Sequence, residues 1–296
     1  MSAILTVTDL VKTFTLHAVG GRTVTSLDGV SLHVAPGEHV AVAGASGAGK
    51  SSLLRCVYRN YEPDSGSVRL RVPANGDGSD EDERELELTA LPDRTMARLR
   101  GREFGYVSQF LQAPPRVGPF DLVLRAAKRR GLTGEDARAA AAHALTRLGL
   151  DEVLWDVDCA VLSGGERQRV NLAAGTVSPP RLLLLDEPVS ALDPANREKA
   201  LLLIEDLRRL EVAVLAVYHD MKIIRRLANR VVVIQNGRVV ADDTPATVLA
   251  QHRTELIDHV PDGEIASSSA TDGEIASSSA TDGEIASSSA TDEEIA

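Results

Sequence analysis

Continuous apolar runs and segments of helical periodicity alternate along most of this chain. The apolar runs predict buried strands of a parallel sheet, because strands covered on both faces lack the usual in-out alternation; they lie at residues 39–43, 181–188 and 212–218. A further strand is predicted at 104–109, and helical spacing is found at 52–57 and 122–150. Asn236-Gly237 predicts a hairpin turn between strands at 231–235 and 238–241. The pattern indicates an α/β fold.

A glycine-rich loop joins the strand at 39–43 to the helix that follows it. Its sequence, GASGAGKS, matches the GxxxxGK[ST] pattern of a phosphate-binding loop. At such a turn the unpaired backbone N–H groups and the positive end of the helix dipole point to one place. Lys50 is expected to reach the β- and γ-phosphates of a nucleoside triphosphate, and the Ser51 hydroxyl to bind Mg²⁺. The expected nucleotide-binding residues here are Gly44, Ala45, Ser46, Gly47, Ala48, Gly49, Lys50, Ser51 and Ser52.

The apolar run at 181–188 ends in two acidic residues, Asp186 and Glu187. A central parallel strand delivers such residues to the carboxyl edge of the sheet, where ligands bind. Asp186 is expected on the Mg²⁺ side of the site. Glu187 is expected to point elsewhere and to accept a proton from an attacking water, which is the role of a general base.

A second helix start with anion-binding character lies in the segment LSGGERQ, residues 162–168. Ser163 followed by Glu166 forms a capping box, which predicts a helix through about residue 177. A serine-capped start with Gly164 and Gly165 also suits a phosphate. The chain therefore has two phosphate-binding helix starts and one phosphate-loop lysine. This combination predicts a head-to-tail pair in which each chain's Ser163, Gly164 and Gly165 close on the other chain's nucleotide.

This ordered set of motifs resembles the nucleotide-binding domain of ATP-binding cassette (ABC) proteins. The resemblance implies a P-loop NTPase fold with a mixed sheet core, an antiparallel β subdomain and a helical subdomain at about residues 110–165. It assigns residues 1–255 to that domain. It also implies ATP and Mg²⁺ as cofactors and ATP hydrolysis as the activity.

The same resemblance supplies the remaining site residues. Gln109 matches the glutamine that contacts Mg²⁺ and the attacking water, and Asp193 matches the aspartate that links two sites across a dimer. His219 matches the histidine on the γ-phosphate, and Phe14 the aromatic residue that stacks on adenine. The implied catalytic residues are Lys50, Gln109, Glu187 and His219, and the implied metal ligands are Ser51, Gln109 and Asp186.

Three residues depart from the usual ABC pattern without removing a catalytic group. Val189 and Ser52 each stand where a threonine is common. Ala174 stands where an arginine is usual in the helix after the signature, which puts a salt bridge near the sheet in question.

Composition narrows the function classes. The formal charge is −11, yet nine of the acids and no base lie in residues 262–296. The rest of the chain is near neutral and has no basic stripe with aromatic residues, so a nucleic-acid partner is not expected. No run long enough to span a membrane and no signal peptide are seen, so a cytoplasmic location is expected. Cys56 and Cys159 have no disulfide or metal spacing and are expected to be buried thiols.

Two acidic segments are expected to lie outside the packed core. Residues 262–291 repeat DGEIASSSAT three times, and a ten-residue period with one isoleucine cannot bury a core, so residues 256–296 are predicted to be a disordered tail. Residues 73–91 are predicted to be a polar, acidic insertion, either an exposed loop or a hairpin tip.

Finer matches favour one ABC subfamily. CVYRNYEPDSG at 56–66 and YVSQFLQAPPRV at 106–117 resemble the L subunit of the bacterial carbon-phosphorus lyase system. That resemblance implies help in forming ribose 1-phosphonate 5-triphosphate from ATP and a phosphonate, with soluble lyase-system subunits as partners. The alternative is the motor subunit of a transporter, of the lipoprotein- or macrolide-export kind, with a membrane permease as partner. A catalytically idle scaffold is the third hypothesis. Either a homodimer or an ABC heterodimer fits the motifs.

Overall fold

The computed structural model describes residues 3–16, 20–74 and 83–251. Its first layer is a four-stranded antiparallel sheet with the strand order β2-β1-β4-β5. The strands are β1 (Leu5–Leu16), β2 (Arg22–Val34), β4 (Ser65–Pro73) and β5 (Glu83–Glu87).

The second sheet has six strands in the order β10-β9-β3-β8-β7-β6. Its five strands from β9 to β6 are parallel, and β10 pairs with β9 in the antiparallel direction. The strands are β3 (His39–Ala43), β6 (Phe104–Val107), β7 (Leu182–Asp186), β8 (Ala213–Val217), β9 (Arg230–Gln235) and β10 (Arg238–Asp243).

Eight α-helices belong to the described ranges, and none of them has the length and apolar content needed to cross a membrane. They are α1 (Lys50–Val57), α2 (Asp93–Arg102), α3 (Pro119–Arg129), α4 (Gly134–Arg147), α5 (Gly164–Thr176), α6 (Pro194–Arg209), α7 (Met221–Leu227) and α8 (Pro245–Gln251).

The six-stranded sheet separates two hydrophobic cores. Because successive side chains on a strand point to opposite faces, Val40 and Val42 of β3 join the core shared with the antiparallel sheet and α1. Ala41 and Ala43 face the core built from helices α3 to α7. All five residues of β3 are buried, as they are in β7 and β8. These fully buried strands form the framework from which the loops at their carboxyl ends extend.

The fold class and most of the predicted elements are confirmed. The helix predicted from Ser163 begins there with a complete capping box, and Asn236-Gly237 makes its hairpin turn with positive φ at both residues. The buried state of Cys56 and Cys159 is also confirmed. Trp155 stacks on Phe120 with ring centroids 5.6 Å apart.

One predicted boundary is wrong. Part of the acidic segment 73–91 is strand β5, which pairs with β4 and continues into a buried Leu88. The charged residues on either side of Leu88 make the segment resemble an exposed loop, although the pairing of β5 with β4 brings Leu88 into an apolar contact. The centre of that segment, 75–82, and the predicted tail at 256–296 lie outside the described residues, as does the proposed domain boundary after residue 255.

Candidate nucleotide site

Four neighbouring parallel strands end at one edge of the six-stranded sheet, and each leads into predicted site residues. The phosphate-loop sequence follows β3, and Gln109 follows β6 by two residues. Asp186 is the last residue of β7, with Glu187 directly after it, and His219 follows β8 by two residues. Since the carboxyl ends of parallel strands meet at one edge, residues far apart in sequence come together here.

Two glycines of the loop are required by close backbone approaches. Gly44 has a φ of 138°, and a Cβ there would lie 2.1 Å from the Ile234 carbonyl oxygen. Gly49 has a φ of 108°, and a Cβ there would lie 2.2 Å from the carbonyl oxygen of Ser26. Any side chain would collide with fixed backbone at both positions, in a conformation that other residues rarely adopt. The loop is therefore held tightly between β9 and β2.

Lys50 folds back over this loop. Its side chain is almost fully buried, and Nζ donates hydrogen bonds of 2.7 Å to the carbonyl oxygens of Gly44 and Ala45. The loop is further closed by a hydrogen bond from the Ala48 amide to the Ala45 carbonyl, at 3.1 Å. The ammonium group thus lies inside the loop where phosphate oxygens are expected.

Ser51 and Asp186 form a second contact between the loop and the sheet. Ser51 Oγ donates to Asp186 Oδ1 at 2.9 Å. Asp186 is buried, and its Oδ2 has no hydrogen-bond partner within the described part of the chain. Burial raises the pKa of this carboxyl group, although the Ser51 hydrogen bond works in the opposite direction. A buried carboxylate oxygen without a partner, next to a hydroxyl, is a donor set that suits Mg²⁺.

Glu187 and His219 are in direct contact. His219 Nε2 lies 2.8 Å from Glu187 Oε1. Glu187 has a φ of 52°, and its amide donates to the Val217 carbonyl at 3.2 Å, which ties the strained residue to β8. A non-glycine residue in the left-handed region costs on the order of 1 kcal/mol or more and is typical of functional positions. The carboxylate of this strained residue contacts His219 and lines the pocket beside the loop.

A pocket of about 330 Å³ opens between the loop and this pair. The predicted residues that line it are Ser46, Gly47, Gly49, Lys50, Ser51, Ser52, Gln109, Glu187 and His219. Ser26 also lines it and donates from Oγ to Ser52 Oγ at 2.8 Å. Sequence reasoning missed Ser26, because nothing in its local sequence indicates that β2 passes beside the loop.

Eight predicted nucleotide-binding residues do not line this pocket. Three of them, Gly44, Ala45 and Ala48, belong to the loop itself, and the other five are Phe14, Ser163, Gly164, Gly165 and Asp193. Ser163 and Gly164 are exposed, and their helix α5 is anchored to the turn after β7 by Gln168, whose Nε2 donates to the Pro188 carbonyl at 2.9 Å. The start of α5 is therefore linked to the turn that follows Glu187 and is presented to solvent. Asp193 caps α6, accepting from the amides of Ala195 and Asn196.

Phe14 packs on a neighbouring aromatic ring. Its ring meets Tyr61 edge to face, with centroids 5.1 Å apart, and Lys12 Nζ lies 5.4 Å from its centroid. The Tyr61 hydroxyl in turn accepts a 2.7 Å hydrogen bond from Arg55. Phe14 is partly exposed, which leaves part of its ring accessible, and its stacking on an adenine stays a prediction.

An arginine from another helix lies beside Ala174. Arg130, at the end of α3, donates to four carbonyl oxygens, those of Phe104, Ala174, Gly175 and Ser178, at 2.9 to 3.3 Å. Burial lowers the pKa of this guanidinium to about 10, well above neutrality. Arg130 therefore binds the end of α5 to the start of β6 at the place where the arginine usual at position 174 is missing.

Arg130 also lines a groove of about 240 Å³ beside the segment after β6. We call it the basic groove, because Arg100, Arg129 and Arg130 line it and no carboxylate does; its other residues are Tyr58, Asn60, Gly101, Phe104, Tyr106, Ser108, Leu111, Gln112, Leu122, Ala126, Asn171, Ala174 and Gly175. Two residues from Ser108, Phe110 is 74% exposed. The residues that line the groove thus include three arginines and no carboxylate, next to an exposed aromatic residue.

Comparisons with known proteins agree with this geometry. Residues 27–190 match the family described as ABC transporter. The methionine import ATP-binding protein MetN of Sodalis glossinidius is 35% identical, over 85% of this chain and 68% of its own length. MetN of Escherichia coli K12 is also 35% identical, over 80% of this chain and 65% of its own length. The chain thus spans about two thirds of the length of these relatives.

A similar fold is found among solved structures. The dimeric post-hydrolysis structure of the ATP-binding cassette MJ0796, bound to ADP and Pi, has a TM-score of 0.70 and 25% identity. The match covers 81% of this chain and 98% of that one. The cassette CbiO1 of Clostridium perfringens, part of the complex CbiONQ, has a TM-score of 0.63 and 25% identity, over 85% of this chain and 92% of that one.

Proposed function

Because the chain belongs to the ABC transporter family and is an ATPase of the ATP-binding cassette type, we propose that it is the ATP-hydrolysing subunit of a membrane importer. The observation that carries the proposal is the meeting of Lys50 with the Glu187–His219 pair around one pocket. A cation for phosphate oxygens and a carboxylate for water are both needed for phosphoryl transfer to water.

The residues at the site have different roles in the binding and hydrolysis of ATP. Lys50 and the loop amides bind the phosphates, and Ser51, Asp186 and Gln109 hold Mg²⁺, which neutralises charge on the phosphate oxygens when bound. Glu187 accepts the proton of the attacking water, because its carboxylate faces the pocket. His219 orients Glu187 through the 2.8 Å contact and lies on the γ-phosphate side. Phe14 takes the adenine ring.

A second copy of a cassette completes each site. Ser163, Gly164 and Gly165 are absent from the pocket of their own chain, and the start of α5 is exposed. A helix start with free amides binds anions, so this element is available to the nucleotide of a partner. Asp193, at the start of α6, lies on the same kind of exposed loop. The dimeric state of the similar cassette MJ0796 supports this arrangement.

The membrane partner is proposed to bind at the basic groove and Phe110. The groove lies beside the Gln109 segment, so that a partner there can respond to the state of the nucleotide site. Its three arginines favour a partner segment with acidic side chains, and Phe110 offers an apolar contact. A permease is the partner class that the transporter alternative requires.

The phosphonate-lyase expectation receives no support from the relatives, which are methionine import proteins. Their names favour the transporter alternative but suggest import, whereas that alternative was of the lipoprotein- or macrolide-export kind. A small solute of the methionine class is therefore the first substrate to test. Soluble lyase-system partners are not included in the proposal.

Replacing Glu187 with glutamine in the source organism tests the proposal. Since general-base assistance contributes about 10² to 10⁴ in rate, the purified variant is expected to bind ATP and to lose at least about 99% of its turnover. Uptake of labelled methionine is expected to fall to the level of a Lys50→Ala strain. Retention of more than a third of the turnover would refute the role of Glu187. Normal uptake together with lost growth on a phosphonate as sole phosphorus source would overturn the importer proposal.

A further inference from the structure

A histidine and a tyrosine are buried together beneath the nucleotide site. His39, the first residue of β3, and Tyr218, the residue after β8, are 2% and 3% exposed. His39 Nε2 lies 3.1 Å from the Tyr218 hydroxyl, and the ring centroids are 5.7 Å apart. Neither side chain reaches the pocket around Lys50, so the functions assigned above leave this pair unexplained.

The pair forms because the residues between its members are small. His39 is in register with Val214, and Tyr218 stands four residues further along β8 on the same face. A separation of four residues along a strand is about 13 Å, so both long side chains must lean toward each other. The position between them is occupied by the paired alanines Ala41 and Ala216. A larger residue at either alanine would fill the space in which the hydroxyl and imidazole meet.

Both polar groups are neutral and depend on each other. Burial lowers the pKa of His39 to about 3, with a smaller effect from Arg208, so the imidazole is uncharged at neutral pH. Burial also raises the pKa of Tyr218, which keeps the phenol protonated. Leaving a buried polar group without its partner costs more free energy than a hydrogen bond contributes to stability. The bond to His39 therefore strongly favours one position of the Tyr218 ring.

The backbone around His39 is fixed from its other side. The His39 amide donates to Asn229 Oδ1 at 3.0 Å, and the Asn229 amide donates to the His39 carbonyl at 2.8 Å. His39 is therefore a firm anchor within the sheet. Tyr218 is bonded to His39 and directly precedes His219, which is half exposed and lies beyond the end of β8. A fixed Tyr218 therefore restricts the position of His219.

We propose that Tyr218 is a positioning residue for His219, held through its hydroxyl by His39, so that the imidazole of His219 stays within reach of Glu187 and the γ-phosphate. The inference rests on the proposed role of His219 in ATP hydrolysis. Tyr218 itself does not line the pocket around Lys50 and is therefore not expected to touch ATP. Its effect is expected on the rate of the chemical step and not on the binding of ATP.

Steady-state hydrolysis of MgATP by the full chain tests the inference through kcat and KM. Tyr218→Phe removes one hydroxyl and is expected to lower kcat at least five-fold with KM unchanged within two-fold. His39→Leu is expected to behave in the same way. His39→Gln, whose amide can still bond the hydroxyl, is expected to keep kcat within two-fold of the wild-type value. Leu215→Val, on the opposite face of β8, is the control for a loss of packing and is expected to leave kcat unchanged.

The His219→Ala background separates positioning from stability. There, Tyr218→Phe is expected to cause no further fall in the residual turnover, measured with labelled phosphate at high enzyme concentration. A second readout is the ¹³C-labelled ring signal of His219, which Tyr218→Phe is expected to shift or broaden and Leu215→Val is not.

Four results would overturn the inference or its premise. Wild-type kcat in Tyr218→Phe, or an unchanged His219 ring signal, would exclude positioning. An equal fall of kcat in the presence and absence of His219 would show that the pair only stabilises the fold. Wild-type turnover in His219→Ala would instead refute the role proposed for His219, a failure of the proposed function and not of the contact.

Discussion

The buried His39 predicts a loss of stability in mild acid. Its pKa in the folded protein is about 3, lowered from an ordinary value of 6.5 by burial. A histidine with a lowered folded-state pKa contributes stability that is complete above the unfolded pKa and declines as the pH falls toward the folded pKa. The stability that His39 contributes is therefore lost between about pH 6.5 and about pH 3, because only the unfolded chain takes up a proton at this position in that range.

The size of the effect follows from the same pair of values. At pH 5 the medium is 1.5 pH units below the ordinary pKa of 6.5. At about 1.4 kcal/mol for each unit, the free energy of unfolding is expected to be lower by about 2 kcal/mol than at pH 7.5. For a domain of this size each kcal/mol corresponds to about 2 to 4 °C in melting temperature. The expected shift from His39 alone is thus about 4 to 8 °C.

The measurement compares the wild type with His39→Gln at both pH values. Urea unfolding at pH 7.5 and pH 5 gives the free energy of unfolding for each protein, and the difference between them isolates His39 from the other titrating groups. Carboxylates with lowered pKa values, such as Glu38 and Glu87, lose their contributions at lower pH in both proteins alike. A wild-type loss no larger than that of His39→Gln would refute the reasoning and would mean that His39 is protonated in the folded state.

Three further predictions concern the site and its support. Asp186→Asn is expected to raise the melting temperature at neutral pH without Mg²⁺, because burial raises the pKa of Asp186 and so disfavours its charged form. The same variant is expected to lose Mg²⁺-dependent ATP turnover, measured as release of phosphate. Glu187→Gln with ATP is expected to dimerise in light scattering, and the added Ser163→Arg to prevent this. Arg130→Ala, which leaves four carbonyl oxygens without their donor, is expected to lower the free energy of unfolding by about 3 kcal/mol in urea, against less than about 0.5 kcal/mol for the exposed Arg129→Ala.

Local sequence predicted the parts of the site that local geometry controls. The glycines of the phosphate loop are needed where a Cβ would meet backbone, and the Ser163 capping box is a contact over three residues. Such requirements appear as short motifs. Strands β3, β7 and β8 could be predicted equally well, because a strand that is buried on both faces is apolar at nearly every position.

Contacts between distant segments could not be read in this way. Ser26 reaches the site only because β2 passes beside Gly49, and Arg130 reaches the end of α5 from another helix. The pairing of His39 with Tyr218 spans 179 residues and depends on two alanines that look unremarkable in sequence. Strand β5 lies within the segment predicted to be an exposed loop or a hairpin tip, since the acidic residues there outweighed Leu86 of the strand and Leu88 just after it, which pack inward.

The two halves of the site differ in how they are held, and this difference suggests how ATP acts. On the sheet side, Glu187 keeps a strained backbone and Asp186 keeps a buried oxygen without a described partner, which only a rigid framework can maintain. On the other side, the start of α5 is exposed and does not line the pocket of its own chain. A ligand can shift an equilibrium only by the difference in its affinity for the two states. If ATP contacts the α5 start of a second cassette, that contact is the differential interaction that favours the closed pair, and hydrolysis removes it. On this proposal, the half that performs the chemistry is preformed, and the half that senses ATP is supplied by association.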